Sequence, residues 1–166
     1  MIEVEVKAPV EDLSVIEDRV LGLGGVFVRQ EIQKDTYFNA PDRDFEVTDE
    51  ALRIREADGK TYFTYKGPKQ SKKTKTRKEI EFPVHARMSD VLAELGYEAK
   101  GLVEKKRRTF RLDKLTIALD EVKNLGQYIE IESANTQDEG KIFTLLEKLG
   151  VNKETCTLKS YLELLK

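Results

Sequence analysis

Hydrophobic and polar residues alternate along most of this chain. Ile2, Val4 and Val6 interleave with Glu3, Glu5 and Lys7, which predicts a strand over residues 1–8. Behind Pro9 the period changes: Val10, Leu13, Ile16, Val20 and Leu23 share one helical face, and Gly24-Gly25 stops it. Residues 26–39 return to strand, and 51–57 and 61–66 flank Asp58-Gly59, a hairpin signature. A fifth strand is predicted over 76–84, then a short helix over 88–95 closed by Gly96. Residues 102–112, 115–122 and 127–133 form a meander, and 138–149 and 161–165 read as helices. About eight strands, mostly joined by hairpins, define an α+β chain on an antiparallel sheet. Eight is the number at which a sheet closes into a small barrel.

Composition narrows the chemistry. The 166 residues fit one domain, residues 1–166, with no linker or repeat dividing them. No apolar run reaches 18 residues and the first residues are not a signal peptide, so a cytoplasmic protein without membrane association is expected. One cysteine, Cys156, excludes an internal disulfide and a cysteine-based zinc site. One histidine, His85, beside Pro83 at a strand end, excludes multi-histidine metal sites. Charged residues make up 36% of the chain, against ~25% in ordinary domains. Lys and Arg (29) nearly cancel Asp and Glu (31), for a net charge of -2. That balance supplies no overall field for nucleic acid, although residues 66–78 hold seven bases and no acid. A solvated hairpin, or a mobile lid drawing an anion inward, accounts for that run.

Strand parity sorts the charges, because successive side chains point to opposite faces. Glu3, Glu5 and Lys7 share a face, as do Gln33, Asp35 and Tyr37; Arg53 and Arg55; Thr64 and Lys66; Arg77, Glu79 and Glu81. Lys105 pairs with Arg107, Asp120 ends the polar row of the seventh strand, and Glu130 pairs with Glu132. A half-exposed sheet explains any one strand. It does not explain why acids are grouped with acids and bases with bases, since like charges at i and i+2 repel. Bridging partners do. Glu-x-Glu pairs suit Mg²⁺ or Mn²⁺, and Arg and Lys rows suit phosphate oxygens. The apolar faces then point outward beneath helices, leaving a barrel with an ionic lumen. Where helices leave that exterior bare, a homodimer has room to form. Tyr37, Tyr62, Tyr65 and Tyr128 are candidates to stack on a base or to pack.

The order of these motifs resembles the CYTH superfamily of triphosphate tunnel enzymes. The resemblance rests on Glu3-Val4-Glu5-Val6-Lys7, Gln33-x-Asp35-x-Tyr37-Phe38, Leu52-Arg53-Ile54-Arg55, Tyr65-Lys66-Gly67-Pro68, Arg77-x-Glu79-x-Glu81, Val103-x-Lys105-x-Arg107, Leu119-Asp120-x-Val122 and Tyr128-Ile129-Glu130-Ile131-Glu132. It runs from residue 1 to about 165, and its last third looks most like the class IV adenylyl cyclase branch. It implies a closed eight-stranded antiparallel tunnel, helices outside, binding a triphosphate with Mg²⁺ or Mn²⁺. Glu3, Glu5, Glu130 and Glu132 are the implied metal ligands, with Asp120, Glu79 and Glu81 as further acidic partners. Lys7, Arg53, Arg55, Lys66, Arg77, Lys105 and Arg107 are the implied phosphate-binding residues. Lys7 is also the candidate general base, provided the surrounding cations depress its pKa. Three functions follow from the resemblance. One is cyclisation of ATP to cyclic AMP and pyrophosphate. Another is hydrolysis of a nucleoside triphosphate, thiamine triphosphate or tripolyphosphate. The third is capture of polyphosphate or nucleotide without turnover.

Overall fold

The computed structural model describes residues 1–166. Eight strands are joined in the closed order β1-β5-β4-β3-β2-β6-β7-β8, every neighbouring pair antiparallel. They are β1 (Ile2–Pro9), β2 (Val26–Asn39), β3 (Ala51–Ala57), β4 (Lys60–Lys66), β5 (Lys75–Val84), β6 (Glu98–Leu112), β7 (Leu115–Val122) and β8 (Gly126–Ser133). The helices are α1 (Leu13–Gly22), α2 (Phe45–Thr48), α3 (Met88–Glu94), α4 (Glu139–Lys148) and α5 (Tyr161–Leu164). Closure leaves no free sheet edge. No helix is long and apolar enough to cross a membrane.

Parity builds the layers. Outward residues Val4, Val6, Ala8, Phe110, Ile117, Leu119, Ile129 and Ile131 are covered by Leu13, Ile16 and Val20 of α1 and by Ile142, Leu145 and Leu146 of α4. On the opposite wall Leu92 of α3 packs on Phe38, Phe45, Leu52 and Ile54. Covering both walls with helices turns the ionic faces inward, because the apolar faces have the larger burial gain.

Several boundaries differ from the pattern of hydrophobic positions. Helix α1 begins at Leu13, with Asp12 capping the Ser14 amide, because Pro9 belongs to β1 and the Val10 amide bonds Gln127. The alternation extends β5 back to Lys75 and β6 back to Glu98. Helix α2 has only four residues, too short to leave a period, and is nucleated by the Asp44 cap. The Asp58-Gly59 turn forms as expected, both residues at positive φ (48° and 72°).

Candidate functional site

The strand registers define two ends of the barrel. At one, β1 ends beside the start of β8, β6 and β5. At the other, β2, β4 and β7 begin. A cavity of about 580 Å³ runs between them, lined by residues from all eight strands. Its wall includes Glu3, Glu5, Lys7, Tyr37, Arg53, Arg55, Lys66, Arg77, Glu79, Glu81, Lys105, Arg107, Glu130 and Glu132. Two expected tunnel residues, Asp35 and Asp120, lie behind the wall. Asp35 receives both a bidentate grip from Arg55 at 2.7 Å and the Arg53 guanidinium at 3.7 Å. Asp120 is held likewise by Arg107, at 2.7 and 2.6 Å, and by the Tyr161 hydroxyl at 2.7 Å. Both carboxylates therefore set guanidinium positions. Burial works to raise Asp35, and Arg53 and Arg55 override it, holding the carboxyl well below its usual range.

The acidic side centres on β1 and β8. One carboxylate oxygen each from Glu3, Glu5 and Glu132 lies within 4.8 Å of the others. Burial, then the charge of Glu3, pushes Glu132 up to about 8; burial, then Glu3 again, pushes Glu79 up to about 7. Three clustered carboxylates repel unless protons or a cation sit among them, and hard divalent cations take such oxygens. The donor set fits Mg²⁺ or Mn²⁺. Glu130 is turned away from that trio, to Arg107 and to Lys7 at 3.2 Å. Glu81 lies at the more exposed end, on Thr64 at 2.7 Å and Arg53 at 3.2 Å.

The basic side follows β3 to β6. Lys66 bridges Glu3 at 2.8 Å and Glu79 at 2.7 Å. Arg77 is buried in the wall, yet no carboxylate or other side chain pairs with its guanidinium. A guanidinium that opens onto the cavity with no protein carboxylate paired to it is suited to hold an anion there. Lys105 lies 3.9 Å from Asp120, and burial, then Arg107, brings it down to about 7.

Lys7 departs from the expectation placed on it. Burial favours its neutral form, but Glu130 and then Glu5 outweigh that and raise its pKa, so the ammonium stays charged. The depressed amine on this side is Lys75, 3.3 Å from Glu5 and brought to about 7 chiefly by burial. Lys75 shares parity with Arg77, Glu79 and Glu81; starting β5 one residue late left it among the loop bases. The basic run itself divides: Lys66, Lys75 and Arg77 face the cavity, Lys69 pairs with Asp49, and Lys72, Lys73 and Lys78 are exposed.

Tyr161 was also absent from the sequence-derived site. Helix α5, opened by a Ser160–Glu163 capping box, carries it into the tunnel end on Val103 and Val122. The Lys7 ammonium sits 3.9 Å from its ring centroid and that of Lys105 4.8 Å. Of the other tyrosines, Tyr65 bonds Glu50 and Tyr128 packs edge-on against Tyr161 at 5.3 Å.

A closed antiparallel barrel with a two-signed ionic interior is the architecture of the CYTH domain, whose profile matches residues 1–161. The chain belongs to this family. It is 37% identical to MJ0240 of Methanocaldococcus jannaschii, provisionally named an adenylate cyclase, covering 99% of this chain and 98% of that protein. The solved structure of PH1819 from Pyrococcus horikoshii OT3 superposes with a TM-score of 0.87 at 38% identity, covering 98% and 97% of the two chains. The same fold, at a TM-score of 0.64 and 19% identity, occurs in HpAC1 from Hippeastrum, covering 90% and 88% of the chains. HpAC1 is provisionally named an adenylyl cyclase and described as having a dominant triphosphatase activity.

Proposed function

We propose that this chain is a divalent-metal-dependent enzyme acting on a triphosphate held in the tunnel, with cyclisation of ATP to cyclic AMP and pyrophosphate as its reaction. The observation that carries the reading is the meeting, in one cavity, of the Glu3–Glu5–Glu132 oxygens with a row of buried bases, among them Arg77, which has no side-chain partner and lies beside Glu3 in the β1–β5 register. The oxygens suit a cation and the bases suit phosphate oxygens, and a metal–triphosphate has both. The kinship with MJ0240 supports the cyclase assignment.

In this mechanism Glu3, Glu5 and Glu132 would hold the cation, Mg²⁺ or Mn²⁺. Bound there, it would supply charge neutralisation and lower the cost of displacing a phosphate oxygen. Arg53, Arg55, Lys66, Arg77, Lys105 and Arg107 bind and orient the phosphates. Asp35 and Asp120 fix three of those guanidiniums before substrate arrives, so little reorganisation remains at the moment of reaction. Lys7 stays charged and serves the phosphates, while Lys75, brought to about 7 by burial and so partly unprotonated near neutral pH, is the better able to accept a proton.

Hydrolysis is the second reading. Most of the charged side chains of the strands line the tunnel, which grips the triphosphate whatever group it carries, and HpAC1 shares the barrel. Product analysis separates the two. Protein with Mg²⁺ or Mn²⁺ is given ATP, tripolyphosphate or thiamine triphosphate in separate reactions. Cyclic AMP with pyrophosphate is the expected outcome; orthophosphate from any of the three assigns hydrolysis. Tight binding without turnover leaves a capture module.

A further inference from the structure

Two amines of the tunnel wall converge on one ring. Lys7 stands on β1 and Lys105 on β6, with β8 and β7 between them around the barrel. Their ammoniums nevertheless both sit over Tyr161, at 3.9 and 4.8 Å from its ring centroid. The rest of the C-terminal segment is arranged around Lys7 as well. Thr157 donates its amide to the Lys7 carbonyl at 2.9 Å, and the Lys159 carbonyl accepts from the Lys7 ammonium at 3.4 Å. Three contacts from residues 157–161 thus bear on a lysine at the other end of the chain.

The ring is itself fixed. Tyr161 is 4% exposed, its hydroxyl donates to Asp120 at 2.7 Å, and Tyr128 packs edge-on against it. Burial, then the charges of Glu130 and Asp120, hold the phenol well above its usual range, so it stays protonated and donates. The amines lack the grip that the guanidiniums have. Asp35 and Asp120 each bind an arginine through two nitrogens, Arg55 and Arg107. An ammonium is a point charge on a flexible stem, which a single oxygen does not orient. Lys105 is the looser of the two. Its nearest carboxylate oxygen, on Asp120, is 3.9 Å away, beyond hydrogen-bond distance. The face of a fixed aromatic ring attracts such a cation without neutralising it and without taking up its donors. A carboxylate in the same place would do both, leaving less for a phosphate.

Taking the tunnel as a triphosphate site, we propose that Tyr161 is a positioning residue for it: the ring holds the Lys7 and Lys105 ammoniums ready for phosphate oxygens, so that α5 completes the basic side of the tunnel. Asp120 then anchors two elements at once, gripping Arg107 of β6 and the Tyr161 hydroxyl of α5. With both stems already ordered, less side-chain freedom is lost when a phosphate arrives. The two parts of the side chain have separable tasks. The ring acts on the lysines, and the hydroxyl fixes the ring.

Calorimetric titration of tripolyphosphate, in Ca²⁺ to slow turnover, tests this with Tyr161→Leu and Tyr161→Phe, each in the wild-type and the Lys105→Met backgrounds. Tyr161→Leu fills much of the space without a π face and is expected to weaken binding about 10-fold in wild type. In Lys105→Met the same change should weaken it about threefold or less, because one of the two amines it acts through is gone. Tyr161→Phe keeps the ring and should restore affinity to within about threefold of wild type. Tyr161→Met replaces the leucine variant if that one does not fold. A ring that only supports the fold lowers affinity equally in both backgrounds, and that result overturns the proposal. Full affinity in Tyr161→Leu overturns it too, as does a phenylalanine variant as weak as the leucine one. Failure of wild type to bind tripolyphosphate at all overturns the triphosphate reading and, with it, the role of Tyr161.

Discussion

At the residue scale, two kinds of buried charge behave differently. Arg77 has no side-chain partner within the protein, so its removal breaks no ion pair or hydrogen bond. Arg77→Met is expected to weaken tripolyphosphate binding about 10- to 100-fold while thermal unfolding stays within a few degrees of wild type, read by calorimetry and by circular dichroism. Asp35 is the reverse. Asp35→Asn strands the Arg53 and Arg55 guanidiniums in the wall and should cost about 3 kcal/mol or more, roughly 6 °C or more in Tm. Because the folded carboxyl titrates below its unfolded value near 4, that contribution is present above pH 4 and shrinks as pH falls. The gap between wild type and Asp35→Asn should therefore narrow in acid.

Lys105 gives a pH effect on binding. In the empty tunnel it titrates near 7, and a bound phosphate raises it, so binding takes up a proton between the two values. Triphosphate affinity is then expected to fall as pH rises above 7, by up to about tenfold per unit, and Lys105→Met should flatten that slope. Calorimetry in buffers of different ionisation enthalpy reads the proton uptake directly; release of protons on binding would contradict it.

At the element scale, alternation made the strands legible because each has one apolar and one ionic face. The grouping of like charges made the lumen legible as well. Short elements were not. Helix α2 has too few residues for a period, and α5 is recognisable as a helix without any sign of where it docks. Its position depends on Gly101 of β6, where an added Cβ would lie 2.3 Å from Leu162 Cδ1. The depressed Lys75 and the role of Tyr161 depend on such contacts between distant segments, which parity does not encode. Gly101→Val is expected to push α5 off the barrel end and separate Tyr161 from Asp120. Limited proteolysis should then cut the segment after residue 158 about tenfold faster, with the barrel core still protected; an unchanged rate would show that α5 is not held there.

At the scale of the whole molecule, 60 charges sum to almost nothing, yet the sum conceals an ordered interior. Acids concentrated on β1 and β8 share the lumen with bases of β3 to β6, and the closed sheet holds both sets in fixed positions. The absence of net field is thus compatible with a site for a highly charged ligand. The same arrangement couples the two halves of the site, because a cation among Glu3, Glu5 and Glu132 and an anion on Arg77 neutralise one another.

Calorimetric titration of tripolyphosphate, with and without Mn²⁺, into wild type and Glu132→Gln tests that coupling most directly. One tripolyphosphate per chain is expected, tightened by Mn²⁺ in wild type by at least about tenfold, with the tightening lost in Glu132→Gln. Metal-independent affinity in wild type, or full tightening in the variant, would contradict a two-signed tunnel.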